Sequence, residues 1–159
     1  MQEKYLEFKL GAPDYVTVET EEERLVCQGG RSAVTAGSTT VEFEDAGEHE
    51  DIFVTSEDAV KCVKLRWNYK IPKSARFFGD AWERTYGDME WHGMSGNRYL
   101  PWYFLAKLSE KILCFGVKVR PSAMCYWQAD TKGITLFLDV RCGNAGVQLK
   151  GRKLRAAQI

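Results

Sequence analysis

The chain has 159 residues, with 22 Lys plus Arg against 22 Asp plus Glu, so its formal net charge is zero. That balance lacks the basic excess on which nucleic-acid binders rely, and nucleic acid is excluded as an expected partner. With 45% hydrophobic and 13% aromatic residues, the chain is too apolar for a disordered segment and long enough for one domain with its own core.

No apolar run approaches the ~20 residues that span a bilayer, and the opening MQEKYLEFKL lacks the uninterrupted apolar core of a signal peptide. No membrane partner is therefore expected. The five cysteines (Cys27, Cys62, Cys114, Cys125, Cys142) form no CxxC pair. They read as buried free thiols in a reducing compartment, which favours the cytoplasm. Only His49 and His92 are present and no Cys/His cluster occurs, so neither a zinc site nor a cofactor is expected.

In chain order, alternation of apolar and polar residues is the dominant signal. Leu6, Phe8 and Leu10 alternate with Glu7 and Lys9 and predict a strand over 5–10. Val16 and Val18 predict a second strand, and the acidic run 19–24 (ETEEER) a charged turn after it. Val41 and Phe43 alternate with Glu42 and Glu44, yet the acidic segment 42–51 (EFEDAGEHED) reads most simply as a solvated loop. Its spacing matches no EF-hand calcium loop. In 62–71, CVKLRWNYKI, Val63, Leu65, Trp67, Tyr69 and Ile71 share one face and Lys64, Arg66, Asn68 and Lys70 the other. That is a strand with one wet side.

Gly79, Gly87, Gly93 and Gly96 break the pattern and predict loop over much of 79–97. Four apolar stretches then follow at 98–108, 112–119, 123–130 and 134–142. The short polar connections 109–111, 120–122 and 131–133 predict hairpins and an antiparallel meander. Stretch 98–108 (RYLPWYFLAKL) is apolar on both faces and reads as one central or doubly covered strand. No long helix is found. Ten or more short strands predict an all-β fold, a large antiparallel β-sandwich, with few or no helices. The sandwich is assigned to residues 1–148, and the basic segment 149–159, with Lys150, Arg152, Lys153 and Arg155, to a linker.

The stretch FFGDAWERTYGDMEWHGMSG (77–96) concentrates the chemistry. Phe77 and Phe78 read as core. For Trp82 and Trp91, burial is the plain alternative to exposure. A surface loop carrying Trp82, Tyr86 and Trp91 would expose flat apolar faces that need a partner. Sugar C–H faces stack on indole while Asp88, Glu90 and Arg84 can serve the hydroxyls or brace the loop. Asp88 and Glu90 would lie roughly 6.6 Å apart on an extended chain. That permits a glycosidase carboxylate pair, as any D-x-E pattern does. Hydrolysis by this chain unaided is the least favoured reading.

GDAWERTYGDMEW (79–91), GVKVRPSAMCYWQAD (116–130) and LFLDVRCGNAGVQLKGRKL (136–154) together resemble the N-terminal β-sandwich domain of α-galactosidase-like, melibiase-type glycoside hydrolases. The resemblance spans about residues 60–159, and W-E-R-x-Y-G-x-x-E-W is its most specific element. It implies a supersandwich-like domain in front of a (β/α)8 barrel that carries two catalytic aspartates of a retaining mechanism. The catalytic pair would then lie outside this chain, which alone would be inactive. It also implies a sandwich loop that offers a tryptophan to the sugar: Trp82 by position, Trp91 as second choice. Three functions stand side by side: an accessory domain shaping a galactoside pocket, a free-standing carbohydrate-binding module, and a self-sufficient enzyme. An exposed barrel-facing patch would also permit a homodimer.

Overall fold

The computed structural model describes residues 4–7, 9–82 and 89–159. Among these the regular structure is all strand: β1 (Tyr15–Thr20), β2 (Arg24–Gln28), β3 (Ala33–Ala36), β4 (Thr39–Asp45), β5 (Glu50–Ser56), β6 (Ala59–Asn68) and β7 (Arg76–Gly79) in the first half. The second half holds β8 (Leu100–Pro101), β9 (Tyr103–Leu108), β10 (Lys111–Gly116), β11 (Met124–Asp130), β12 (Gly133–Asp139), β13 (Val147–Gln148) and β14 (Leu154–Gln158).

One layer is a sheet in the order β2-β1-β6-β12-β11-β8, with β13 pairing the start of β6. The other layer is two smaller sheets, β14-β5-β4-β3 and β10-β9-β7. They are joined where the Lys118 amide donates to the Gln158 carbonyl at 2.8 Å and the Ser122 amide to Ala156 at 3.1 Å. All strand pairs are antiparallel. The expected all-β sandwich is therefore what the chain forms.

The core lies between the layers because each strand puts alternate side chains inward. From the large sheet come Val16, Val18, Val63, Leu65, Trp67, Cys125, Trp127, Ile134, Leu136 and Leu138; from the smaller sheets come Val41, Ile52, Val54, Phe104 and Ala106. Full burial of each large side chain contributes about 2 kcal/mol. Trp127 is the hub, with ring centroids 5.5 Å from Phe104, 6.1 Å from Trp67 and 6.4 Å from Phe115. The buried indole N–H of Trp67 donates to the Gly11 carbonyl at 2.7 Å, and the Tyr69 hydroxyl donates to Leu10 at 3.0 Å. Burying these polar tips without a partner would be unfavourable, and satisfying them fastens the N-terminal arm to the sandwich.

Several expectations change. Among the described residues of 5–10 no strand forms: Tyr5 makes a single parallel bridge to Lys70, and the carbonyls of Leu10 and Gly11 go to side chains rather than to a ladder. Phe8 lies outside the described residues. The acidic segment 42–51 is no loop. Glu42 and Glu44 stand on the wet face of β4, and only the turn at 46–49 separates it from β5, with Asp45 accepting from the Gly47 amide at 2.8 Å.

The basic segment 149–159 is not a linker. Within it, β14 pairs with β5 and buries Ala156 and Ala157 completely. Lys153 reaches Glu44 at 2.7 Å and Glu42 at 3.2 Å. The presumed acidic loop and basic tail are thus ion-pair partners on one sheet.

The second half folds into hairpins but not into a continuous meander. β9–β10 belongs to one layer and β11–β12 to the other. Stretch 98–108 breaks at Trp102 into β8 and β9, one in each layer, because Pro101 has no amide to extend a ladder and Trp102 turns the chain with φ +67°. The thiols also divide: Cys62 and Cys125 are buried, Cys27 half-buried, and Cys114 and Cys142 exposed.

Candidate functional site

Outward-facing positions of the large sheet are set by the registers that fill its core. Because Cys125, Trp127, Leu136 and Leu138 point inward, their neighbours Tyr126 and Phe137 point out, and the two are directly paired across β11 and β12. Their rings stack with centroids 4.6 Å apart and 12° between planes. Tyr99 packs edge-on against Tyr126 at 5.1 Å and against Phe137 at 6.3 Å.

Trp82 completes the group from the loop after β7. Its indole meets Tyr126 at 5.8 Å and Trp102 at 5.7 Å, both edge to face. Behind it, Asp80 is buried and takes the Ala81 amide at 2.9 Å, which anchors the loop where it leaves the sheet. Trp82 is 46% exposed, Tyr99 53% and Trp102 38%, so the rings form an open rim rather than a core.

Among the described residues, three ion pairs flank the outer faces of β6, β11 and β12. Lys64 lies 2.5 Å from Glu19, Arg66 2.8 Å from Asp130 and Arg141 2.5 Å from Asp139. Lys64 also sits 5.3 Å above the Phe137 ring. Burial acts to raise the carboxyls of Asp130 and Asp139. Arg66 with the Lys132 and Gly133 amides at Asp130, and the Arg141 side chain and amide at Asp139, outweigh it and hold both below the usual carboxylate range. Burial, then the neighbouring Cys62 and Asp139, pushes the Tyr126 phenol above its ordinary value, so it stays protonated at neutral pH. The surface therefore offers flat aromatic faces, hydroxyls and no uncompensated charge from these pairs.

Trp91 is 41% exposed and rests on Phe78 with centroids 5.6 Å apart, while the backbones of Phe77 and His92 exchange two hydrogen bonds at 2.9 Å. Phe77 is buried, and Phe78 only half so. Trp91 thus braces the return of the loop onto β7 and takes no part in the ring group around Trp82. Glu90 is exposed on the same return. Arg84, Tyr86 and Asp88 lie outside the described residues, as does the Asp88–Glu90 spacing.

Sequence reasoning did not single out Tyr99, Trp102, Tyr126 or Phe137. Tyr126 and Phe137 were nonetheless readable: each is an aromatic at a position where strand alternation demands an outward residue, Tyr126 in MCYWQAD and Phe137 in ITLFLD. Trp102 was not, because it was assigned to the middle of a continuous strand.

Two concave features lie elsewhere. One cavity of about 260 Å³ is lined by Leu10, His49, Glu50, Cys114, Phe115 and Trp127; another of about 280 Å³ lies among Glu21, Glu22, Glu23, Glu57 and Asp58. Neither includes the aromatic rim. Among the described residues no group of three or more His, Cys, Asp or Glu is placed to hold a metal ion. Compared with known proteins, the chain matches no family model, no curated protein and no solved structure.

Proposed function

We propose that this chain is the N-terminal accessory domain of an α-galactosidase-like glycoside hydrolase, inactive alone, which lends an aromatic lip to a galactoside pocket and packs on a catalytic barrel. The carrying observation is the solvent-facing Trp82, set edge to face between Trp102 and Tyr126 within the GDAWERTYGDMEW stretch. Indole faces stack on sugar C–H surfaces. Glu90 and Trp91 lie on the loop's return and support its shape. The exposed Met124, Tyr99 and Trp102 extend an apolar surface that a barrel would cover and through which the isolated chain would self-associate.

The reading is tested by titrating the chain with galactose, melibiose and raffinose in a calorimeter. An open lip buries little of its ligand, so binding weaker than about 1 mM is expected. No heat of binding and no change in tryptophan fluorescence at any sugar concentration sinks the proposal. A (β/α)8 barrel encoded in the same reading frame would support the accessory role.

A second reading, a free-standing carbohydrate-binding module, is favoured by the rim's being assembled wholly from this chain. Micromolar affinity and the lack of a barrel in the parent gene would select it.

A further inference from the structure

The cavity of about 260 Å³ is framed by the N-terminal arm at Leu10 and Gly11, the β4–β5 turn, the end of β10 and Ile159. It reaches inward to Trp127, the fully buried hub of the core. Leu10, Phe115 and Ile159 supply an apolar wall. The charged lining is three carboxylates, Asp45, Glu48 and Glu50, against one ammonium, Lys9.

Strand alternation makes Glu50 the exceptional member. Val41 and Phe43 on β4, and Ile52 and Val54 on β5, face the core. Asp45 and Glu50 come next on that same face and are directly paired across the hairpin. An acidic pair thus stands where the pattern calls for an apolar one, and like charges directly opposite each other oppose folding. Asp45 has compensation: Lys9 lies 3.7 Å away, and the Gly47 amide donates to it at 2.8 Å. Among the described residues the Glu50 carboxylate has neither a hydrogen bond nor an ion pair, although it is half-buried. Its backbone is held by two hydrogen bonds with Ile159, at 2.8 and 3.0 Å. Burial first, then Asp45, raises its carboxyl, with Lys9 opposing. The polar groups beside it are occupied: the His49 ring lies 3.0 Å from both Lys118 and Gln158, and Gln158 donates to Asp51 at 2.6 Å. A half-buried carboxylate beside an apolar wall is disfavoured until a cation meets it.

We propose that this cavity binds a small organic cation, a primary ammonium carried on a short apolar body, with the ammonium between Glu50 and Asp45 and the body against Leu10, Phe115 and Ile159. A neutral ligand would leave Glu50 uncompensated, and an anion would meet three carboxylates and one ammonium. At about 260 Å³ the space falls just under the usual range of about 300–1,000 Å³ for ligand pockets, which limits the body to roughly one ring or a short alkyl chain. The site lies apart from the aromatic rim and does not depend on the carbohydrate reading.

The experiment titrates phenethylammonium, 2-phenylethanol, phenylacetate and methylammonium at pH 7 into wild type, Glu50→Gln and Glu22→Gln, with heat of binding as the readout. Phenethylammonium is expected to bind wild type with Kd below about 1 mM, at least fivefold tighter than any of the other three. Glu50→Gln removes an uncompensated charge, so it should melt no lower than wild type while losing affinity fivefold or more. Glu22→Gln, at the other, acidic cavity, should lose less than fivefold. No binding of phenethylammonium at about 10 mM overturns the inference. A preference of less than fivefold over 2-phenylethanol or phenylacetate overturns the cationic head, and the same result against methylammonium overturns the apolar body. A loss below fivefold in Glu50→Gln, or an equal loss in Glu22→Gln, overturns the location. Sugar titrations of the same proteins read the rim separately, so either reading can fail alone.

Discussion

Trp82 and Trp102, from two different loops, meet edge to face with ring centroids 5.7 Å apart while both remain over a third exposed. Trp82→Ala is expected to lower stability by about 1–3 kcal/mol, the worth of its two ring pairs, and, on the proposed carbohydrate reading, to remove the response to sugar. Urea unfolding and a raffinose titration measure the two effects separately.

Trp127 should behave in the opposite way. It is fully buried against Phe104, Phe115 and Trp67. Trp127→Ala would leave a void at the hub of the core and is expected to destabilise by about 3–5 kcal/mol. A loss below about 1 kcal/mol in chemical denaturation would contradict the packing described.

The thiols should sort by burial. Burial first, then nearby Asp139 and Glu19, pushes the Cys62 thiol to about 12, and burial does the same for Cys125, also to about 12. Both stay protonated at neutral pH and react slowly, since the thiolate is the nucleophile. Alkylation at pH 8 followed by peptide mass mapping should label the exposed Cys114 and Cys142 quickly, and Cys62 and Cys125 only after unfolding. Native-state labelling of Cys125 would refute this.

Stability should respond to pH in opposite senses at two carboxylates. Burial, then the charge of Asp45, raises the Glu50 carboxyl. A raised folded-state value means stability that is fully present below the ordinary glutamate range and lost as pH rises through the folded value. Glu50→Gln should therefore raise the melting temperature at pH 7 and change it little near pH 4. Asp130 is held down by Arg66 against its burial, so its contribution is present above the ordinary aspartate range and lost as pH falls through the lowered value. Asp130→Asn should lower the melting temperature at pH 7, with the deficit vanishing in acid. Thermal melts across pH 3–8 decide both signs.

Gly133 closes the β11–β12 hairpin with φ +146°, and a Cβ there would stand 2.0 Å from the Trp67 carbonyl oxygen. Gly133→Ala must therefore displace the central strand β6, and a loss of about 3 kcal/mol or more is expected. Gly47, at φ +86° with open space around it, should lose only about 1–2 kcal/mol on the same change. Equal effects in paired unfolding curves would show that the close approach is unimportant.

Much of the fold was legible because two-residue periodicity survives in the chain itself. CVKLRWN forms the central strand as its alternation demands, and MCYWQAD and ITLFLD form the expected hairpin around Gly133. Local pattern failed where partners were distant. EFED reads as loop and RKLRAAQ as tail until Lys153 meets Glu42 and Glu44, and Ala156 and Ala157 fill the narrow space beside β5. Residues 5–10 alternate like a strand, but at their end the Leu10 and Gly11 carbonyls are taken by the Tyr69 and Trp67 side chains instead of a ladder.

The sequence alone determined that this protein is built of strands and which side chains its most regular strands, β6, β11 and β12, turn inward, because alternation is a property of neighbouring residues. Only the tertiary structure decided which strands share a sheet, and that the chain changes layers at Trp102. The same crossover brings Trp102, Trp82, Tyr126 and Tyr99 to one rim. Contacts between residues so far apart depend on register and crossover geometry, which no local pattern encodes.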